Sequence, residues 1–199
     1  MKTKFTVLSL IVSSLVGLAS SQALAASETY TIDPHHCFPV FEVNHLGLST
    51  QRGRFDETRG TVTLDTAAKT GSVSLTINTN SLDMGFPAWN EHLTGPAFFN
   101  VAKYPTITFT SDKLDFEGGK VVGADGDFTL LGVTHPLHVT VHNFICTEHP
   151  MAHKPVCAGD ITATFKRSDY GMMTYLPMVG DQINIYVPVE AIKNQVINK

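Results

Sequence analysis

Nine histidines and three cysteines are the side chains able to hold a metal or run a thiol reaction. His35, His36 and Cys37 are contiguous, and His45 lies eight positions beyond Cys37. His138 and His142 fall four apart, as do His149 and His153. A tetrahedral zinc site needs such donors converging from closely spaced pairs. This spacing does not supply them. No CxxC occurs, neighbouring side chains on a strand face opposite ways, and His138 and His142 sit on the polar side of an alternating stretch. We expect no structural metal. Nucleophilic catalysis lacks its signatures too. There is no GxSxG, no Gly-rich phosphate loop opening a helix, and the carboxylates are spread along polar faces. Asp83 and Glu91 read as caps or solvated groups. No catalytic residue is expected. Arg167-Ser168-Asp169 reads as a turn with a local ion pair, the alternative being a cation at a cavity mouth.

The elements that position these residues begin after a leader. Lys2 and Lys4 precede an apolar run from Val7 to Leu18, and Ala23-Leu24-Ala25 is a small-x-small cleavage signal. Residues 1–25 read as a secretory signal peptide, too short in its apolar run for the ~20 residues of a membrane span. Residues 26–199 then form one domain. Losing two lysines moves the formal charge from −4 to −6, which argues against nucleic acid and against docking on anionic lipid through a basic patch. No second segment of spanning length follows, so no stable membrane insertion is expected. The product is expected in the periplasm if the host is bacterial. Export permits disulfides. Cys146 and Cys157 flank the Pro-rich TEHPMAHKPV, where a bridge would contribute on the order of 3 kcal/mol. Cys37 is then odd: a buried small hydrophobe, or a ligand thiol or intermolecular bridge.

Period two dominates the mature chain. Tyr30 and Ile32, Phe41 and Val43, Val73 to Ile77, Val139 and Val141, Ile161 to Phe165, and Ile183 to Val189 alternate with polar residues. One dry and one wet face per strand belongs to antiparallel sheets. Further strands are expected at Thr58–Leu64, from Thr106 through Lys113–Phe116, at Val121–Ala124 and at Phe128–Leu131. Gly53, Gly60, Lys69-Thr70-Gly71, Gly118-Gly119, Gly123 to Gly126 and Gly132 read as turns between strands. The count is about eight strands, with one helical excursion near residues 87–93. A barrel closure removes the edges a sandwich leaves, and eight strands can be packed solid or hold one small ligand. Phe86, Trp89, Phe98, Phe99, Met172, Met173 and Met178 lie outside clean strands. That favours a lidded cavity over a solid core.

The stretch His92–Phe109, HLTGPAFFNVAKYPTITF, is the candidate lid. Gly95-Pro96 stops the helix, Phe98-Phe99 follows, and Tyr104-Pro105 hands over to an alternating strand. Leu93, Phe98 and Phe99 would close one end of a barrel whose wall includes Ile107 and Phe109.

These residues, in order, resemble the YceI-like family. The resemblance runs from Tyr30-Thr31-Ile32-Asp33 with His36, through Phe41, Val43 and His45, Gly53-Arg54-Phe55, Gly60, and His92-Leu93 to Tyr104-Pro105. It continues with Gly126 to Pro136, Arg167-Ser168-Asp169-Tyr170-Gly171 and Val189-Glu190-Ala191. Cys37, Pro39, Asn100 and Gly85-Phe86-Pro87-Ala88-Trp89 depart from the family's habit. The resemblance implies an eight-stranded antiparallel lipocalin-like barrel holding a long-chain isoprenoid lipid, polyprenyl phosphate-like or ubiquinone-like, as ligand rather than cofactor. It also implies that Cys146 and Cys157 pair. Dimers in parts of the family put a second copy of the chain among the candidate partners. On this reading Phe41, Val43, Leu75, Ile77, Phe86, Trp89, Leu93, Phe98, Phe99, Ile107, Phe109, Met172, Met173 and Met178 line the cavity. His45, Arg54, Arg167 and Asp169 are candidates for the ligand's head. The competing expectations are an enzyme or redox factor using Cys37 or His36, and a structural or stress-interaction protein with a solid barrel.

Overall fold

From Thr106 onward the chain is a run of long hairpins. In the computed structural model, which describes residues 27–195, β7 (Thr106–Glu117), β8 (Lys120–Leu130), β9 (Val133–Glu148), β10 (Pro155–Lys166) and β11 (Val179–Lys193) follow one another. Each pairs antiparallel with the next. The first two turns fall at Gly118-Gly119 and Leu131-Gly132, all four residues at positive φ. Two-residue hairpins with the sheet's twist need that conformation. The signal peptide expected at 1–25 lies outside the described residues.

The N-terminal half supplies the other rungs. β1 (Glu28–Ile32), β4 (Thr58–Asp65) and β5 (Thr70–Asn78) give the order β1-β4-β5-β7-β8-β9-β10-β11, and β11 pairs back onto β1. That closes an eight-stranded antiparallel barrel. β2 (Val40–His45), β3 (Ser49–Phe55) and β6 (Leu82–Asp83) continue three of the rungs at one end. β11 changes partner along its length, taking β2 at Val179–Tyr186 and β1 at Ala191–Lys193. Pro39 sits just before β2, where a missing N–H costs the ladder nothing. A helix, α1 (Pro87–Thr94), starts on a proline at its first turn. It lies where the helical excursion was expected.

Three of the expected turns are not turns. Gly53 lies inside β3, Gly60 inside β4 and Gly123 to Gly126 inside β8, which is one strand rather than two. A Cβ at Gly53 would collide with the Phe41 ring and the Met84 thioether, and one at Gly126 with the Phe109 ring and a backbone carbonyl. These glycines admit close-packed aromatics.

The disulfide joins residues directly opposite on β9 and β10, Cys146 and Cys157, with S–S 2.06 Å. Both strands run two residues past the cysteines, pairing Thr147 with Val156 and Glu148 with Pro155, and His149 to Lys154 form the connecting loop. Cys37 is fully buried and outside any disulfide. Two apolar clusters fill the two ends of the barrel. One gathers around Phe55, Phe99, Phe128 and Met172, the other around Tyr30, Ile32, Leu64 and Ala191.

Candidate functional site

Inward-facing residues of every rung leave a cavity of about 250 Å³ that reaches both clusters. Cys157 and Arg167, ten residues apart on and just after β10, both lie on its wall. At ~3.3 Å per residue and a strand tilt of ~40°, the wall runs about 25 Å along the barrel axis. The volume is below the ~300–1,000 Å³ of typical small-molecule pockets, so the space is long and slender. The barrel is not packed solid.

Most of the expected wall residues are there. Phe41, Val43, Leu75, Ile77, Leu93, Phe98, Phe99, Ile107, Phe109 and Met172 all face the cavity. Phe99 meets Phe55 edge-on at 5.3 Å and Phe41 at 5.8 Å. Leu93, Phe98 and Phe99 share the cavity wall and one apolar cluster with Ile107 and Phe109. The segment after α1 is held by its own backbone, with Phe99 N–H donating to Leu93 O and Val101 N–H to Thr94 O. Four expected wall residues do not reach the cavity. Phe86, Trp89, Met173 and Met178 are turned outward and exposed. A short helix and a loop each have two sides, and these residues occupy the outer one.

The head-group candidates scatter. His45 packs beside Trp89 on the outside, with ring centroids 6.4 Å apart. Arg54 pairs with Asp56 at 2.8 Å and lies 3.7 Å from Asp83 on the outer surface. Asp169 is exposed and offers its backbone carbonyl to His135. Arg167 is on the cavity wall but 2% exposed. Its Nε donates to Gly180 O, Nη1 to Met172 O and Nη2 to Val179 O, all within 2.9 Å. Burial holds its pKa below the usual arginine value, against the opposing pull of Asp181. The expected Arg167–Asp169 ion pair is not formed. Asp181 is the local carboxylate instead, accepting from the Ser168 N–H and hydroxyl. Arg167 is a clamp on the chain after β10, and its stem is all it offers the interior.

Alternation marked further wall residues that were not named as a site. Tyr30, Ile32, Val73, Val139, Ile161 and Ile185 are on the wall. One gathering of charge was missed. Asp115, Asp125 and His138 converge on the outer face of β7–β9, with His138 Nδ1 2.8 Å from Asp125 and Lys113 Nζ 2.5 Å from its other oxygen. The strand register brings them together, pairing Lys113 with Asp125 and Asp125 with His138. Lys113 already neutralises part of this surface cluster. His36 is likewise on the surface, 2.9 Å from Asp33. Burial pushes the Cys37 thiol up to about 12, the opposite of what a nucleophilic thiolate needs.

A closed antiparallel barrel of eight strands around an apolar space is a lipocalin-like architecture. Comparison with known proteins narrows it: the model of the YceI-like domain matches residues 30–191, and the chain belongs to that family. A UPF0312 protein of Shewanella putrefaciens is 31% identical over 188 residues, covering 92% of this chain and 97% of that one. Among solved structures, the Campylobacter jejuni YCEI protein matches with a TM-score of 0.66 at 25% identity, over 76% of this chain and 90% of that one. A polyisoprenoid binding domain from Saccharophagus degradans matches with a TM-score of 0.58 at 18% identity, over 83% and 98%. That last likeness is one of fold.

Proposed function

We propose that the protein binds the tail of a long-chain isoprenoid lipid, polyprenyl phosphate-like or ubiquinone-like, and carries or stores it in the periplasm without catalysis. The observation that carries this reading is the slender apolar cavity, whose one charged wall residue, Arg167, has all three guanidinium nitrogens engaged by backbone carbonyls. Each CH₂ moved from water into such a space contributes about 0.8 kcal/mol, so a hydrocarbon tail binds without polar anchors. Specificity along the tail is then weak, and the head group stays near an end. The fold shared with a polyisoprenoid binding domain supports the choice of tail. The leader at 1–25 supports the compartment. The test is organic-solvent extraction of purified protein followed by mass spectrometry. A stoichiometric isoprenoid in independent preparations is expected; protein that repeatedly yields none overturns the reading.

A further inference from the structure

We propose that the α1 end of the barrel is a membrane-docking face, on which the residues roofing the cavity rest against the hydrocarbon of a bilayer. Three segments build this end: 44–51 around the β2–β3 turn, 84–102 around α1, and 171–180 before β11. Seven of the eleven large hydrophobic side chains standing exposed among the described residues belong to them. Leu48 is 83% exposed, Met173 59% and Phe86 55%. Soluble monomers rarely leave large contiguous apolar patches, and this one is contiguous. The Leu46 N–H donates to Met178 O at 2.8 Å. Trp89 lies 6.4 Å from both the His45 and Phe86 rings, and Tyr175 stacks on His92 at 6.2 Å.

Charge complementarity selects the occupant. Across all three segments the one formally charged side chain is Glu91; elsewhere the outer wall is laced with ion pairs such as Arg52–Glu42 and Lys113–Asp125. A surface of Leu, Met and Phe with almost no charge to desolvate matches a hydrocarbon layer, and the half-exposed Trp89 and Tyr175 suit the polar–apolar boundary. The chain's acidic balance, −4 overall, removes attraction to anionic headgroups, so the contact is hydrophobic and shallow. The same segments turn Leu93, Phe98 and Met172 onto the cavity. A tail passing between bilayer and cavity through this end would not have to cross bulk water. This last step rests on the lipid-binding reading above.

Trp89 is the single tryptophan, so the protein carries its own probe. Purified protein would be mixed with phosphatidylcholine–phosphatidylethanolamine vesicles with and without brominated acyl chains, then floated on a density gradient. Co-flotation with quenching of Trp89 emission is expected. The double variant Leu48→Glu, Met173→Glu, at two exposed positions, should lose on the order of tenfold in partitioning at an unchanged melting temperature. Three results overturn the proposal: wild-type protein left in the lipid-free fraction with Trp89 unquenched, a variant that floats equally well, or a patch that pairs two copies in sedimentation and so ignores vesicles. Flotation does not read the cavity's contents and extraction does not read docking, so failure of one reading is told apart from failure of the other.

Discussion

Thr174 and Ala97 are joined by a hydrogen bond: the Thr174 hydroxyl donates to the Ala97 carbonyl oxygen at 2.8 Å, across 77 positions of chain. It ties together the two segments that roof the cavity, one after α1 and one before β11. An exposed side-chain hydrogen bond of this kind is worth about 0.5–1.5 kcal/mol net. Thr174→Val should therefore lower the melting temperature by no more than about 1–6 °C while speeding exchange of a fluorescent isoprenoid analogue by roughly two- to tenfold. Unchanged exchange kinetics would show that the ligand enters elsewhere.

Phe98 and Phe99 are neighbours with different work. Phe99 is seated against Phe55 and Phe41 inside the barrel. Phe99→Ala should cost about 3–5 kcal/mol in urea unfolding. Phe98 is held between His92 at 5.1 Å and Tyr175 at 6.0 Å, where the two roof segments meet. Phe98→Leu keeps most of the volume and should cost under about 1.5 kcal/mol, yet lower the lipid retained through purification. Retention intact despite lost stability would make Phe98 a core residue and not part of a roof.

Arg167→Met removes the donors of three carbonyls, one buried and two partly buried. An unsatisfied buried polar group costs about 1–3 kcal/mol, offset in part by no longer burying a charge. The net loss should be about 3–5 kcal/mol. Arg167→Lys should recover little of it, because a compact ammonium cannot span carbonyls on Met172, Val179 and Gly180 as the planar fork does. Full recovery by lysine, seen in urea midpoints, would mean that charge rather than geometry holds the segment.

How far the sequence could be followed depended on how local each cause was. Alternation is local, and on β11 it places Ile183, Ile185, Val187 and Val189 on the cavity wall as expected. Pro87 and Gly95 bracket α1 for equally local reasons. Glycine is ambiguous: Gly53 and Gly126 read as turns because close approach of a ring favours the same residue. Phe86, Trp89, Met173 and Met178 are apolar residues in connections, and composition does not say whether such residues face in or out. Asp181 replaces Asp169 beside Ser168, and Asp115 meets Asp125 and His138, through pairings set by register. The chemistry of those sites appears only once the barrel closes.

Thr58 is 3% exposed, and among the described residues its hydroxyl has no hydrogen-bond partner. It starts β4, opposite Ile77. A buried polar group without a partner costs about 1–3 kcal/mol, and valine keeps the β-branched shape that suits a strand. Thr58→Val should therefore be neutral or stabilise by about 1 kcal/mol. A loss of more than that in thermal unfolding would reveal a partner for the hydroxyl.

The Asp33–His36 pair gives stability a pH dependence whose sign follows from two opposite shifts. The hydrogen bond to Asp33, then the Glu190 charge, raise the His36 pKa. Burial pushes Asp33 up, but the His35 N–H and the His36 ring outweigh it and hold its carboxyl below the usual range. The raised histidine contributes fully below its unfolded value of ~6.5, and this is lost as pH rises through the folded value. The lowered aspartate contributes above its unfolded ~3.9, and this is lost as pH falls through the folded value. Both act together between about pH 4 and 6.5. His36→Gln should lower the urea midpoint in that window and converge on wild type well above it. A deficit that stays constant from pH 5 to 9 would assign the loss to packing and not to the ion pair.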